Sequence, residues 1–127
     1  MIKIVSKRTI GAICKGLYWH EYHCKCSYPE CNSTIITENI INAYEILRSD
    51  KIKGPLQVTS GYRCPRHNKD VGGSSLSYHQ VGALDILLPE GWSLESFRIA
   101  AYESGFTYVR SYADMPRIHC DCRGSKC

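Results

Sequence analysis

The residues best suited to chemistry stand between positions 59 and 88, in TSGYRCPRHNKDVGGSSLSYHQVGALDILL, and in a late segment, RIHCDCR. The first stretch carries His79 and Asp85 at short spacing, behind a glycine-rich loop and at the mouth of an apolar run. The second carries His119, 40 residues after His79. Two imidazoles and one carboxylate make up the ligand set of a hydrolytic zinc site, which keeps a fourth position open for water. Metal-assisted hydrolysis with Zn2+ is the chemistry this constellation points to.

Asp85 adds an energetic reason. Leu84, Ile86 and Leu87 flank it, and a carboxylate buried unpaired in an apolar run is costly. A metal or a salt bridge, for instance with Arg63, has to compensate. In the late segment His119 and Asp121 alternate onto one strand face, while Ile118, Cys120 and Cys122 take the other. His20 and His23 flank Glu21 in H-E-Y-H, one residue short of the i, i+4 pair that helical H-E-x-x-H zinc sites use. Gly72-Gly73 signals a tight turn; the lack of a lysine at P-loop spacing argues against a phosphate cradle.

The elements that must position these residues are legible in outline. Thr37 is the expected N-cap of a helix over 38–49, with Ile40, Ile41, Tyr44 and Leu47 as its buried stripe. Gly54-Pro55 stops it and LQVTS starts a strand. The segment 61–77 reads as loop and short helix. ALDILL, bounded by Gly82 and Pro89, suits a central strand. Ser93 caps a second helix in which Leu94, Phe97, Ala100 and Ala101 share a face, and Gly105 ends it. TYVRSY and RIHCDC read as two strands joined by a turn around 113–116. This order predicts an α+β domain with helices packed on a small antiparallel sheet.

A chain of 127 residues fits one domain and buries roughly two-thirds of the surface its unfolded form exposes. We expect a cysteine- and aromatic-rich lead-in over 1–33 and a core over 34–127. No run approaches the ~20 apolar residues of a membrane span, and no secretory signal is evident in MIKIVSKRTIGAICKGLYWHEYH. Sixteen Lys+Arg against 12 Asp+Glu leave +4. The charges are dispersed and the densest basic spots hold few aromatics, which argues against nucleic acid as a partner. A mild attraction to anionic polymers, or simply a solvated surface, fits this balance.

Eight cysteines are unevenly placed: Cys14, Cys24, Cys26 and Cys31 early, Cys64 alone, and Cys120, Cys122 and Cys127 at the end. Three readings stand side by side. They could be disulfides of an exported domain. Cys24, Cys26 and Cys31, helped by His20, His23 or Cys64, could form a structural zinc knuckle, although C-x-C-x4-C departs from paired C-x-x-C spacing. Or several could be buried reduced thiols.

SGYRCPRHN, then VGGSSLSYHQVGALDI, then IHCDCR resemble the zinc peptidoglycan peptidases of the D-alanyl-D-alanine carboxypeptidase type, which share the hedgehog/DD-peptidase fold. The resemblance spans roughly residues 38–124, and YWHEYHCKC is similar to the N-terminal segment of small phage-encoded members. It implies a zinc held by His79, Asp85 and His119, and an Arg63 that contacts a substrate carboxylate or the developing oxyanion. The family's S-x-H-x-x-G-x-A-x-D is one residue longer than SYHQVGALD, and we expect the loop around 81–83 to absorb the difference. The family's general base precedes the last ligand; Pro116, Arg117 and Ile118 offer none. The candidates are Asp114, five residues before His119, and Asp121, two after it, which could instead orient His119; Glu21 in the lead-in is a remote third, better read as a solvated acid. Arg63 could alternatively pair with Asp85 or Asp70. The implied function is hydrolysis of a peptide bond in the peptidoglycan stem, at or near a D-amino acid, as carboxypeptidase or endopeptidase. We expect a monomer acting on the stem peptide at the bacterial wall, in the manner of a phage lysis protein released by other machinery. The alternative is an inactive wall- or protein-binding module that keeps the fold.

Overall fold

The computed structural model describes residues 2–74, 77–80, 82–113 and 116–124. Strand β1 (Ile2–Ser6) is followed by the short β2 (Ala12–Cys14) and β3 (Leu17–Tyr18), and by the single-turn helix α1 (Trp19–Tyr22). Strand β4 (Ser33–Thr37) runs into helix α2 (Glu38–Ile46). Then come β5 (Val58–Ser60), α3 (Pro65–Asp70), β6 (Leu84–Leu87), α4 (Leu94–Ser104), β7 (Tyr108–Ser111) and β8 (Arg117–Asp121). The architecture is α+β, as expected.

The helix starts follow from their capping residues. Thr37 Oγ1 accepts from the Ile40 N–H, and Ser93 Oγ from that of Ser96; each satisfies an amide the first helical turn leaves without a partner. The end of α2 departs from the expected 38–49. Its backbone widens into a π-helical turn over Leu47–Ile52, closed by Lys53 N–H donating to Arg48 C=O, five residues back. Lys53 then adopts a left-handed conformation, φ 57°. The last helical residue is thus Ile52, with Lys53 as the cap between it and Gly54-Pro55.

Four strands form the sheet that matters for chemistry, antiparallel in the order β5-β6-β8-β7. Side chains alternate faces along each strand, so register decides what meets. Asp85 lies directly opposite His119, and His119 opposite Arg110. Leu84, Ile86, Val109, Ile118 and Cys120 point to the other face and join Ile40, Ala43, Tyr44, Phe97 and Ala101 of α2 and α4 in one core. One face of the sheet is therefore apolar and covered by helices. The opposite face presents Asp85, His119, Asp121 and Arg110.

The lead-in is integral. Leu17, Trp19 and Tyr22 are buried in the same core, and Tyr62 N–H donates to Tyr22 C=O at 2.8 Å. β1 pairs with β4 as a separate two-stranded ribbon, and β2 with β3; neither pairing was expected. Among the described residues, no helix is long and apolar enough to cross a membrane.

Candidate metal centre

Two ligand candidates come from neighbouring strands and the third from a turn. Asp85 and His119 face each other across the β6–β8 ladder. His79 sits in a 3-10 turn, Tyr78–Gln80, whose position is tied to the SGYR segment by two bonds. Arg63 N–H donates to His79 C=O at 2.8 Å, and His79 Nδ1 donates to Gly61 C=O at 2.6 Å. With its proton on Nδ1, His79 turns the lone pair of Nε2 inward. Gly61 is required here: a Cβ at this position would come within 2.2 Å of the Tyr22 ring and 2.7 Å of its carbonyl oxygen.

His119 is set the opposite way round. Its Nε2 donates to Asp121 Oδ2 at 2.6 Å, leaving Nδ1 to face His79 and Asp85. Asp121 is fully buried and is held by Arg123, whose Nη2 lies 2.7 Å from the same oxygen. Arg123 in turn stacks on the Tyr108 ring, 3.7 Å from its centroid. Asp121 thus stands as a charge-neutralised acceptor behind His119.

Three donor atoms converge. His79 Nε2 lies 3.1 Å from Asp85 Oδ1 and 3.2 Å from His119 Nδ1, and the latter two are 3.6 Å apart. Ligands about 2.0 to 2.1 Å from a tetrahedral zinc stand about 3.3 to 3.4 Å from one another. The three separations fit that geometry. Asp85 Oδ2, buried, has no hydrogen-bond partner among the described residues and has only Arg117 near it, at 3.6 Å. A buried carboxylate with an unsatisfied oxygen and two inward-facing imidazole lone pairs suits a divalent cation. The one-residue shortening of GALD has not turned Asp85 away. Gly82, with φ 146°, takes a conformation open to glycine just before the strand, and the β5–β6 register shifts between Val58 and Ser60.

The sequence reasoning missed Tyr112. Its hydroxyl donates to Asp85 Oδ1 at 2.8 Å and lies 3.2 Å from His119 Nδ1 and 3.4 Å from His79 Nε2. These near-equal distances put it at the fourth corner of the tetrahedron the other three define. Only its place in an alternating strand-to-turn segment, TYVRSY, could have signalled it.

Electrostatics follow from this packing. Burial alone would raise the Asp85 carboxyl, but the imidazoles of His119 and His79 and the Tyr112 hydroxyl beside it outweigh burial and hold the group well below the usual carboxylate range. Burial likewise opposes ionisation of Asp121, yet His119 and Arg123 bring it down to about 2. Burial would lower His119, and the Asp121 and Asp85 carboxylates reverse this and raise it. Burial, then the Asp85 charge, push the Tyr112 phenol up, so it stays a donor.

Arg63 lines the cleft that opens above these groups, of about 510 Å³, together with Arg110, Arg117 and Arg123. Its Nη2 bonds Ser77 Oγ at 3.3 Å, and neither Asp85 nor Asp70 pairs with it. Asp114 lies outside the described residues. His23 bonds Thr34 Oγ1 and Thr9 C=O, and Glu21 accepts from the Tyr18 N–H at the start of α1. The H-E-Y-H run is thus structural.

A family model described as Peptidase M15 matches residues 17–121, a span that takes in half of the lead-in as well as the three convergent side chains. No curated protein and no solved structure matches the chain.

Proposed function

The chain belongs to the peptidase M15 family of zinc-dependent metallopeptidases, and on that premise we propose that it cleaves a peptide bond of the peptidoglycan stem, at or near a D-amino acid. The observation that carries this reading is the convergence of His79 Nε2, Asp85 Oδ1 and His119 Nδ1 at tetrahedral spacing, beneath an arginine-lined cleft. In this reading those three side chains hold the zinc. Bound by these residues, zinc would supply a Lewis acid for the scissile carbonyl and would lower the pKa of a water molecule toward neutrality.

The chain's own residues do the rest. Gly61 C=O and Asp121 fix which nitrogen of each histidine faces the site, so that neither ring has to rotate to accept the metal. Arg63 reaches into the cleft with a planar, permanent cation and holds the anionic oxygen that develops as the carbonyl becomes tetrahedral. Arg110 and Arg117 favour a substrate that brings a carboxylate. Tyr112 donates a hydrogen bond to Asp85 Oδ1. Asp114 is the proposed proton carrier, and Asp121 the group that positions His119.

The test is zinc content together with amino-group release from purified peptidoglycan. We expect stoichiometric zinc at the His/Asp/His site, release that a chelator abolishes, and no release by His79→Ala. Arg63→Ala is expected to keep its zinc and lose about 10²–10³ in kcat. A second reading, a wall-binding module that keeps the metal without the reaction, is favoured by the Tyr112 hydroxyl at the fourth corner. Full zinc occupancy with no release by the wild type, and release gained in Tyr112→Phe, would establish that reading instead.

A further inference from the structure

Four thiols meet on the far side of the SGYRC segment. Cys24 and Cys26 follow α1, Cys31 precedes β4, and Cys64 follows Arg63 and caps α3. One sulfur from each lies within 4.8 Å of all the others. Cys26 Sγ and Cys64 Sγ are 3.7 Å apart. A disulfide needs about 2.05 Å, whereas sulfurs about 2.3 Å from a tetrahedral zinc stand about 3.8 Å from one another. Among the described residues no cysteine is in a disulfide.

The surroundings are those of sulfur that carries negative charge. Cys64 N–H donates to Cys24 Sγ, and His67 N–H to Cys64 Sγ, each at 3.4 Å. Lys7 Nζ sits 3.4 Å from both Cys26 Sγ and Cys31 Sγ, anchored on Cys26 C=O at 2.9 Å. Every one of the four sulfurs therefore receives an N–H donor. A dication bound by four thiolates carries a net charge of two minus, and the Lys7 ammonium offsets part of it. The histidines that could have competed for the fourth position do not take part: His20 is exposed and His23 is engaged with Thr34 and Thr9.

We propose that Cys24, Cys26, Cys31 and Cys64 bind a second zinc ion as a closed tetrathiolate, a structural site separate from the His/Asp/His centre. Binding releases the four thiol protons to solvent and leaves no position for substrate. The site cross-links the lead-in to the segment 61–64. That segment supplies the Gly61 carbonyl and the Arg63 amide that hold the His79 turn, so the second metal braces the first without touching it. The ligand order C-x-C-x4-C with a fourth cysteine 33 residues later explains why paired C-x-x-C spacing does not reveal it.

The experiment is metal counting on the full chain purified with zinc, combined with cobalt substitution. Two zinc ions per chain are expected. Cobalt-loaded wild type should show thiolate-to-cobalt charge-transfer absorption, which the His/Asp/His ligands cannot produce. Cys26→Ser should lose one equivalent of metal and most of that absorption. His119→Ala should lose the other equivalent and keep the absorption. One zinc per chain, with the four thiols free to alkylation or recovered as disulfides, overturns the proposal. The wild-type spectrum decides even if Cys26→Ser fails to fold. Failure of the peptidase reading is a separate result, read from the His119→Ala arm and from amino-group release.

Discussion

At the scale of single residues, His119 has both ring nitrogens committed, and Asp121 sets which one faces His79 and Asp85. Asp121→Asn keeps the shape but removes the charge that fixes the tautomer. We expect zinc affinity to fall roughly 10–100-fold, measured by competition with a chromophoric chelator. The metal-free protein gives an independent readout. The carboxylates of Asp121 and Asp85 raise His119, so by NMR it should titrate above the ordinary histidine value of about 6.5, and Asp121→Asn should bring it down. The signs for stability differ between the two groups. Asp121, depressed to about 2, contributes stability above its unfolded value near 3.9 and loses it as pH falls through the folded value. His119, raised, contributes below about 6.5 in the metal-free protein and loses it as pH rises through its folded value. At this scale the sequence drew attention to Asp85, because a carboxylate inside LDILL demands a partner. It was silent on Tyr112, since a tyrosine in an alternating strand is ordinarily packing.

At the scale of elements, capping residues and apolar stripes were enough to place α2 and α4, and turn residues bounded β6. What escaped was the ribbon of β1 and β4. Ile2 and Ile4 of β1 are 56% and 67% exposed, so the strand has no half-buried alternation for a periodicity reading to find. The π-helical end of α2 also left no mark, because i→i+5 bonding is decided by packing rather than composition. The fit of SGYR against α1 is tight enough to test. Gly61→Ala would force a methyl against the Tyr22 ring and backbone. Overpacking of this kind costs about 1–3 kcal/mol, and it displaces the carbonyl that orients His79. A lower melting temperature together with weaker zinc binding is expected, read by calorimetry and chelator competition. Unchanged affinity would mean that the Gly61–His79 bond does not govern the turn.

At the scale of the whole molecule, the mild excess of +4 understates the field at the cleft, because Arg63, Arg110, Arg117 and Arg123 line it together. Composition could not reveal this; the antiparallel register and the SGYR loop bring scattered arginines to one mouth. With a soluble stem peptide carrying a free carboxylate, kcat/KM is expected to fall by roughly tenfold from low salt to about 1 M, as the Debye length shrinks to about 3 Å. The amidated peptide should show little slope. Initial rates across a salt series check this.

The three convergent side chains are not equally anchored, and that asymmetry has a kinetic meaning. Asp85 and His119 ride on adjacent strands stitched by a ladder, while His79 hangs from a short turn tied to the SGYR segment by one backbone bond and one bond from its own ring. The sheet therefore works as a fixed jaw and the turn as a hinged one. Metal should enter and leave by way of the hinge, so amide exchange in 77–80 should quicken on demetallation while Ile118 and Cys120 stay protected. The rate of zinc loss to excess chelator would then track the breathing of that turn rather than the unfolding of the domain.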